Sequence, residues 1–141
     1  MRKLAAGLAV ASLSVAGTPG IAAAAGSQQC VRPVQNGRYP LPSPCGQNYV
    51  DIRWVGGIET VVAVGTDYRI YESDTAGGVT TPWRGLDAGT VSPAGPGITF
   101  TATATSGGLV EDGYLRVTAT DGRPSCKAGH EGRWITPWYG C

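Results

Sequence analysis

The alternation of apolar and polar side chains along the chain predicts β-strands and no helices. In residues 49–55 (YVDIRWV) and 98–105 (ITFTATAT) an apolar residue occurs at every second position, so the apolar side chains of each segment lie on one face. Residues 58–64 (IETVVAV) form a β-branched run, and Gly56-Gly57 before it predicts a two-residue hairpin turn. No window of ten or more residues after residue 25 combines helical periodicity with capping residues. The pattern therefore predicts an all-β protein.

Shorter strand candidates follow each of these segments. Strands are expected at residues 68–72, 79–83 and 114–120, with turns at residues 74–78, 106–109, 111–113 and 121–122. The Gly- and Pro-rich residues 86–97 predict a loop between the two groups of strands. Residues 30–45 contain four prolines, which predicts a mostly irregular segment. We therefore expect two antiparallel meanders after an irregular N-terminal segment.

An internal repeat relates the two meanders. Residues 66–86 (TDYRIYESDTAGGVTTPWRGL) are echoed by residues 120–141 (TDGRPSCKAGHEGRWITPWYGC). The opening Thr-Asp-x-Arg recurs 54 positions later and the Thr-Pro-Trp-x-Gly ending 55 positions later, which predicts a one-residue insertion before Gly132. Such an echo indicates one supersecondary unit used twice. We predict a single domain over residues 26–141, comprising a disulfide-looped segment (26–45), a first repeat (46–86) and a second repeat (87–141).

Residues 1–25 have the composition of a secretory signal peptide. Arg2 and Lys3 precede an apolar run over residues 4–16, and four alanines at 22–25 provide a small-residue exit. The run is too short to cross a bilayer. We therefore predict a secreted protein without a membrane span.

The charge balance argues against polyanionic partners. The chain has 11 basic and 10 acidic residues, and removal of Arg2 and Lys3 leaves 9 basic against 10 acidic residues, a net charge of −1. No basic cluster is present in the remainder. We therefore expect neither nucleic-acid binding nor binding to anionic lipid.

The four cysteines form two pairs with equal spacing. Cys30 and Cys45 are 15 residues apart, as are Cys126 and Cys141. In an exported chain these residues predict disulfides, and of the three possible connectivities we favour the two local loops. A loop of this size stabilises the fold by roughly 3 kcal/mol. With His130 as the single histidine and no Cys-x-x-Cys spacing, no zinc site and no cofactor are expected.

Residues suited to catalysis are scarce. His130 lies in a Gly-rich predicted turn, where a solvated histidine is far more common than the base of a catalytic triad. Glu111 and Asp112 are adjacent in a predicted turn and are interpreted as solvated charges, while Glu72 and Asp74 lie near another turn. We therefore predict a protein that is not an enzyme.

Aromatic residues adjoin arginines at several positions, as in Trp83-Arg84 and Arg133-Trp134. A ring can stack on the apolar face of a sugar while a guanidinium donates hydrogen bonds to its hydroxyls. This arrangement favours carbohydrate binding. For Trp83 and Trp138, which occupy the same place in the two repeats, we weigh a role as core anchors above ligand contact.

Residues 64–71 (VGTDYRIY), Gly77-Gly78 and residues 81–86 (TPWRGL) resemble one repeat of the tachylectin- and fucolectin-type β-propeller lectins, and residues 117–141 resemble a second. The resemblance implies a sugar held by an arginine, an acid and a tryptophan of neighbouring blades. By position these residues are Arg69, Glu72 and Trp83 in the first repeat, and Arg116 or Arg123, Glu131 and Trp134 in the second. Trp138 is a further candidate contact.

A weaker resemblance concerns the N-terminal segment. Residues 30–31 (CV), Gln35, residues 38–39 (RY) and Cys45 are similar to the first disulfide hairpin of the tendamistat-type α-amylase inhibitors. That family implies a small, secreted, all-β protein with two disulfides that acts on another protein. The alternative to sugar binding is therefore a protein-directed role, as an inhibitor or as an adaptor subunit that docks by edge-strand addition.

Two blade-like units are too few to close a propeller, and open sheet edges are templates for strand pairing. We therefore expect either a partial propeller or a small sandwich or barrel. We further expect a homo-oligomer or a subunit of a larger complex, with a glycan or a secreted or cell-surface protein as the partner.

Overall fold

The computed structural model describes residues 29–32, 39–86 and 89–141, and this part of the chain contains strands, turns and loops without a helix. The all-β prediction is confirmed. The predicted signal peptide, Gln35 and Arg38 lie outside the described residues. Accordingly, no helix in the described part is long and apolar enough to span a membrane. The strands are β1 Gln29–Arg32, β2 Leu41–Pro44, β3 Val50–Arg53, β4 Ile58–Val64, β5 Ile70–Ala76, β6 Val79–Thr80, β7 Arg84–Gly85, β8 Ile98–Ser106, β9 Leu109–Thr118, β10 Pro124–His130, β11 Arg133–Trp134 and β12 Tyr139–Gly140.

Two antiparallel sheets carry the two repeats. The first sheet has the order β3-β4-β5-β6, and β7 also pairs with β5; the second has the order β8-β9-β10-β11, and β12 also pairs with β10. Both repeats therefore use the same pairing scheme. The predicted local disulfides, Cys30–Cys45 and Cys126–Cys141, are both present.

The turns that lead into β5 and β10 share the same amide hydrogen bonds. Asp67 accepts a hydrogen bond from the amide of Arg69 at 3.0 Å, and Asp121 accepts one from the amide of Arg123 at the same distance. In each turn the amide two residues before the aspartate donates to the carbonyl two residues after it, at 2.9 Å. The repeat seen in the sequence is therefore a repeat of local structure.

The position predicted for the insertion between the repeats is wrong. The β5–β6 turn is made by Gly77 (φ 56°) and Gly78 (φ 78°), and the β10–β11 turn by Glu131 (φ 46°) and Gly132 (φ 83°). The offset of 54 residues thus persists through this turn and through β11. The insertion falls at residues 135–136. The amides of Thr81 and Ile135 donate to equivalent carbonyls at an offset of 54, whereas the threonine hydroxyls that accept from the amides of Asp74 and Ala128 belong to Thr81 and Thr136, at an offset of 55.

Several predicted turns and loops belong to strands. Residues 111–113 lie inside β9, where Gly113 lacks a side chain because the Phe100 ring occupies that space. Residues 74–76 belong to β5, so the turn is confined to Gly77-Gly78. The C-terminal disulfide loop contains β10, β11 and β12, and the segment expected to be irregular forms the antiparallel pair β1–β2.

One hydrophobic cluster lies between the two sheets, and it contains both Val62 of β4 and Val117 of β9. At the offset of 54, Val62 corresponds to Arg116, the neighbour of Val117. Because successive strand side chains point to opposite faces, the repeats contribute opposite faces to the core. We call the face that carries Val62, or its equivalent Arg116, the front face. The front of the first sheet packs on the back of the second.

The stack has a third layer at its N-terminal side. On the back of the first sheet, Val61, Ala63 and Ser73 are at most 5% exposed, and β2 lies against β4. Arg32 of β1 connects this layer to the segment before β3 by donating a hydrogen bond to the carbonyl of Gln47 at 2.5 Å. The order is therefore N-terminal hairpin, first sheet, second sheet, and the front of the second sheet is the outer surface of the stack.

Candidate functional site

The structure joins two of the predicted ligand residues, one from each repeat. Glu72 is 4% exposed, and its Oε2 accepts a hydrogen bond from Trp134 Nε1 at 2.5 Å. Its Oε1 accepts a hydrogen bond from Arg84 Nε at 2.8 Å. Both oxygens of this carboxylate therefore have partners within the protein. The pair connects the two sheets.

Further contacts close this pair into a ring, which we call the seam network: Trp54, Thr60, Glu72, Asp74, Arg84 and Trp134. Trp54 Nε1 donates to Thr60 Oγ1 at 3.0 Å, and Thr60 donates to Asp74 Oδ1 at 2.6 Å. Arg84 binds Asp74, and the rings of Trp54 and Trp134 meet edge to face at 5.9 Å. Trp54 and Thr60 are not predicted as members of this group, because they adjoin no residue of the lectin-like motif.

The electrostatics of the seam network hold Arg84 in its charged form. Partial burial lowers the pKa of the guanidinium, but the charge of Glu72 and the hydrogen bonds that Arg84 donates to both carboxylates outweigh it, so the pKa lies above its usual value. The network thus satisfies its own charges across the contact between the repeats. Its chemistry is that of a structural ion cluster.

Trp83 and Trp138 occupy comparable surroundings. The indole N–H of Trp83 donates to the carbonyl of Tyr39 at 2.5 Å, and that of Trp138 donates to the carbonyl of Leu86 at 2.8 Å. Each tryptophan therefore bonds its repeat to a segment that precedes other strands: Tyr39 lies before β2, and Leu86 lies before β8. Trp138 also packs against the hydrophobic cluster. This geometry favours the anchor interpretation of the Thr-Pro-Trp motif.

Three predicted contacts lie in exposed turns. Arg69 and Arg123 occupy equivalent places before β5 and β10, and Glu131 follows β10. Arg123 and Glu131 are thus separated by the seven residues of β10, roughly 23 Å of strand. The set Arg123, Glu131 and Trp134 is therefore not gathered around one point.

Arg116 lies apart from these residues, on the exposed front face of the second sheet. It lines a depression of about 310 Å³ together with Thr99, Thr118 and the backbone around Gly97. Arg116 is directly opposite Thr99 in the β8–β9 pair, and Tyr114 is the next front-face residue along β9. The surface offers hydroxyls, a guanidinium and a half-buried phenol ring.

The other end of this front face carries the single histidine. His130 Nδ1 lies 2.6 Å from Asp112 Oδ1 on the paired strand. This hydrogen bond, supported by the charges of Asp112, Glu131 and Glu111, raises the pKa of the exposed imidazole. Within the described residues, no three His, Cys, Asp or Glu side chains form a group able to hold a metal ion.

A groove of about 470 Å³ runs between the edge of the first sheet and the β8–β9 hairpin. It is lined by Asp51, Ile52 and Arg53 on one side and by Phe100 and Ala102 on the other.

No protein-family model, curated protein or solved structure matches the chain. The site must therefore be judged on its own geometry.

Proposed function

We propose that the protein is a secreted, non-enzymatic carbohydrate-binding protein whose ligand lies on the front face of the second sheet, around Arg116. The observation that carries the proposal is the change of residue type on this face between the repeats. In the first sheet, Ile52 and Val62 are buried there under the second sheet. Their equivalents in the second sheet are Thr101 and Arg116, on the outer surface of the stack.

The chemistry of this face suits a neutral, hydroxyl-rich ligand. The guanidinium of Arg116 supplies several donors in one plane, and the hydroxyls of Thr99, Thr101 and Thr118 both donate and accept. The ring of Tyr114 beside them offers a flat surface for the apolar side of a pyranose. Strands hold these groups more rigidly than loops would, which lowers the entropic cost of binding.

The proposed location outside the cell fits the redox requirement of the fold. All four cysteines are paired in disulfides, which persist in oxidising compartments. Binding a neutral ligand through side-chain hydrogen bonds and ring stacking needs no cofactor and no catalytic group.

A glycan array followed by titration calorimetry tests the proposal, with Arg116→Gln as the variant and Arg123→Gln as the matched control. Arg123 is an exposed turn arginine outside the front-face depression. Loss of the charged hydrogen bonds should weaken binding roughly 10- to 100-fold in Arg116→Gln, and the control should bind like the parent. An array that stays blank, or equal affinity in the two variants, overturns the proposal. Circular dichroism establishes that both variants are folded.

A further inference from the structure

The longest edge strand of the described structure lacks nearly all the usual protection against pairing. β8 spans nine residues, Ile98–Ser106, and within the described residues it pairs with β9 alone. Residues 98–110 (ITFTATATSGGLV) contain no charged residue and no proline. The corresponding edge of the first sheet, β3, has four residues and includes Asp51 and Arg53. Natural sheets normally protect edges by such charges or by short length.

The free part of β8 also projects beyond the core. From Thr101 to Ser106 every residue except Ala104 is exposed, and the hairpin continues through Gly107-Gly108 to the exposed Leu109. Among the residues that the structure describes, the one protective feature of this edge is an irregularity in the pairing with β9 between Ala102 and Thr105. A protruding, uncharged strand with unpaired backbone groups is therefore available to a partner strand.

We propose that two copies of the protein pair antiparallel through their β8 edges. A second copy suits this edge because an uncharged strand meets only uncharged residues when it pairs with itself. The contact is isologous, so each copy uses the same strand and the assembly closes as a dimer with no β8 edge left over. Pairing with a strand from another protein would require β8 to be complementary to that strand and not to itself.

This pairing places the two front faces on the same side of one continuous sheet, because the two-fold axis of an antiparallel strand pair is perpendicular to the sheet. Arg116 is paired with Thr99, one strand away from the edge, so in a fully overlapped pair the two Arg116 positions are about 14 Å apart across the strands and about 20 Å apart along them, roughly 24 Å in all. A dimer of this kind would present two copies of the Arg116 surface to a single repetitive ligand. The pairing itself does not depend on sugar binding.

Native mass measured by light scattering or sedimentation tests the pairing, with the disulfides intact and protein from about 1 µM to about 500 µM. Ala102 is exposed at the midpoint of β8, so Ala102→Lys places two like charges directly opposite each other in a fully overlapped pair. Ala76→Lys, at the exposed end of β5, is the matched control. The parent and the control should form a dimer, and Ala102→Lys should dissociate at least about tenfold more readily.

Two results would overturn this inference. One is a parent protein that remains monomeric at the highest concentration, which would leave the edge to a different partner or to none. The other is a dimer that Ala102→Lys does not weaken, which would place the interface elsewhere. Slow amide exchange in residues 101–106 of the dimer, and fast exchange in Ala102→Lys, should accompany the expected change in mass.

Discussion

Replacement of Glu72 by Gln isolates the contact on which the packing of the two repeats depends. The side chain is 4% exposed, and its oxygens accept hydrogen bonds from Arg84 at 2.8 Å and Trp134 at 2.5 Å. Gln has nearly the same volume, so no cavity is created. Its NH₂ group must nevertheless face one of two donors, either the guanidinium or the indole N–H, and one of these donors loses its acceptor.

The expected loss of stability can be worked from these two contacts. Hydrogen bonds to a charged group contribute about 1.5–3 kcal/mol each. Arg84 is half exposed, so solvent reduces its contact with Glu72 to the lower end of this range. The neutral amide also keeps one of the two bonds, so Glu72→Gln should lower the free energy of unfolding by about 2–3 kcal/mol. For a domain of this size, that corresponds to a fall in Tm of roughly 10 °C.

Urea or thermal unfolding of the oxidised protein measures this difference. Asp51→Asn is the matched control, because Asp51 is an exposed carboxylate on β3 of the same sheet and its replacement should change stability by less than about 0.5 kcal/mol. A double-mutant cycle with Trp134→Phe should show coupling between the two sites. Equal stability of Glu72→Gln and Asp51→Asn would refute the assignment of Glu72 to the seam network and favour its alternative role as a ligand contact.

Two further predictions concern the second sheet. The pKa of His130 should lie above its usual 6.5 because Asp112 accepts its hydrogen bond, and Asp112→Asn should lower it in an NMR titration. The stability that this interaction contributes is present in full below the pKa of His130 in the unfolded chain and is lost as pH rises through its higher pKa in the folded protein. Identical titration of His130 in the parent and in Asp112→Asn would contradict this. Gly113→Ala should destabilise by about 1–3 kcal/mol, because its Cβ overlaps the Phe100 ring, whereas Gly85→Ala meets nothing within 4 Å and should be nearly neutral in the same unfolding assay.

The parts of the fold that were predictable from sequence are those fixed by local chemistry. Asp67 and Asp121 predict equivalent turns because a short carboxylate caps the amide two residues ahead, and the structure shows this bond in both. The run at residues 58–64 coincides with β4 because β-branched side chains next to a Gly-Gly turn have few alternatives. Equal cysteine spacing similarly predicted both disulfides.

Predictions failed where a distant contact decides the conformation. Gly113 was interpreted as a turn residue, although it lies within β9 because the Phe100 ring crosses over it. Glu131 adopts a positive φ that sequence patterns assign to glycine, and this hid the position of the insertion, which follows β11. The role of Glu72 in the seam network was also hidden, because Trp134 is 62 residues away along the chain.

The front-to-back stacking of the repeats bears on how copies of the protein could form the expected homo-oligomer. Continued stacking would have to bury the front face of the second sheet, as the second sheet buries Val62 on the front of the first. The equivalent residue is Arg116, and a guanidinium buried without a partner costs several kcal/mol. Terminal units of repeat proteins characteristically carry a polar outer face that ends the stack. Growth by stacking is therefore disfavoured, whereas pairing through β8 leaves Arg116 in solvent, accessible to the proposed ligand.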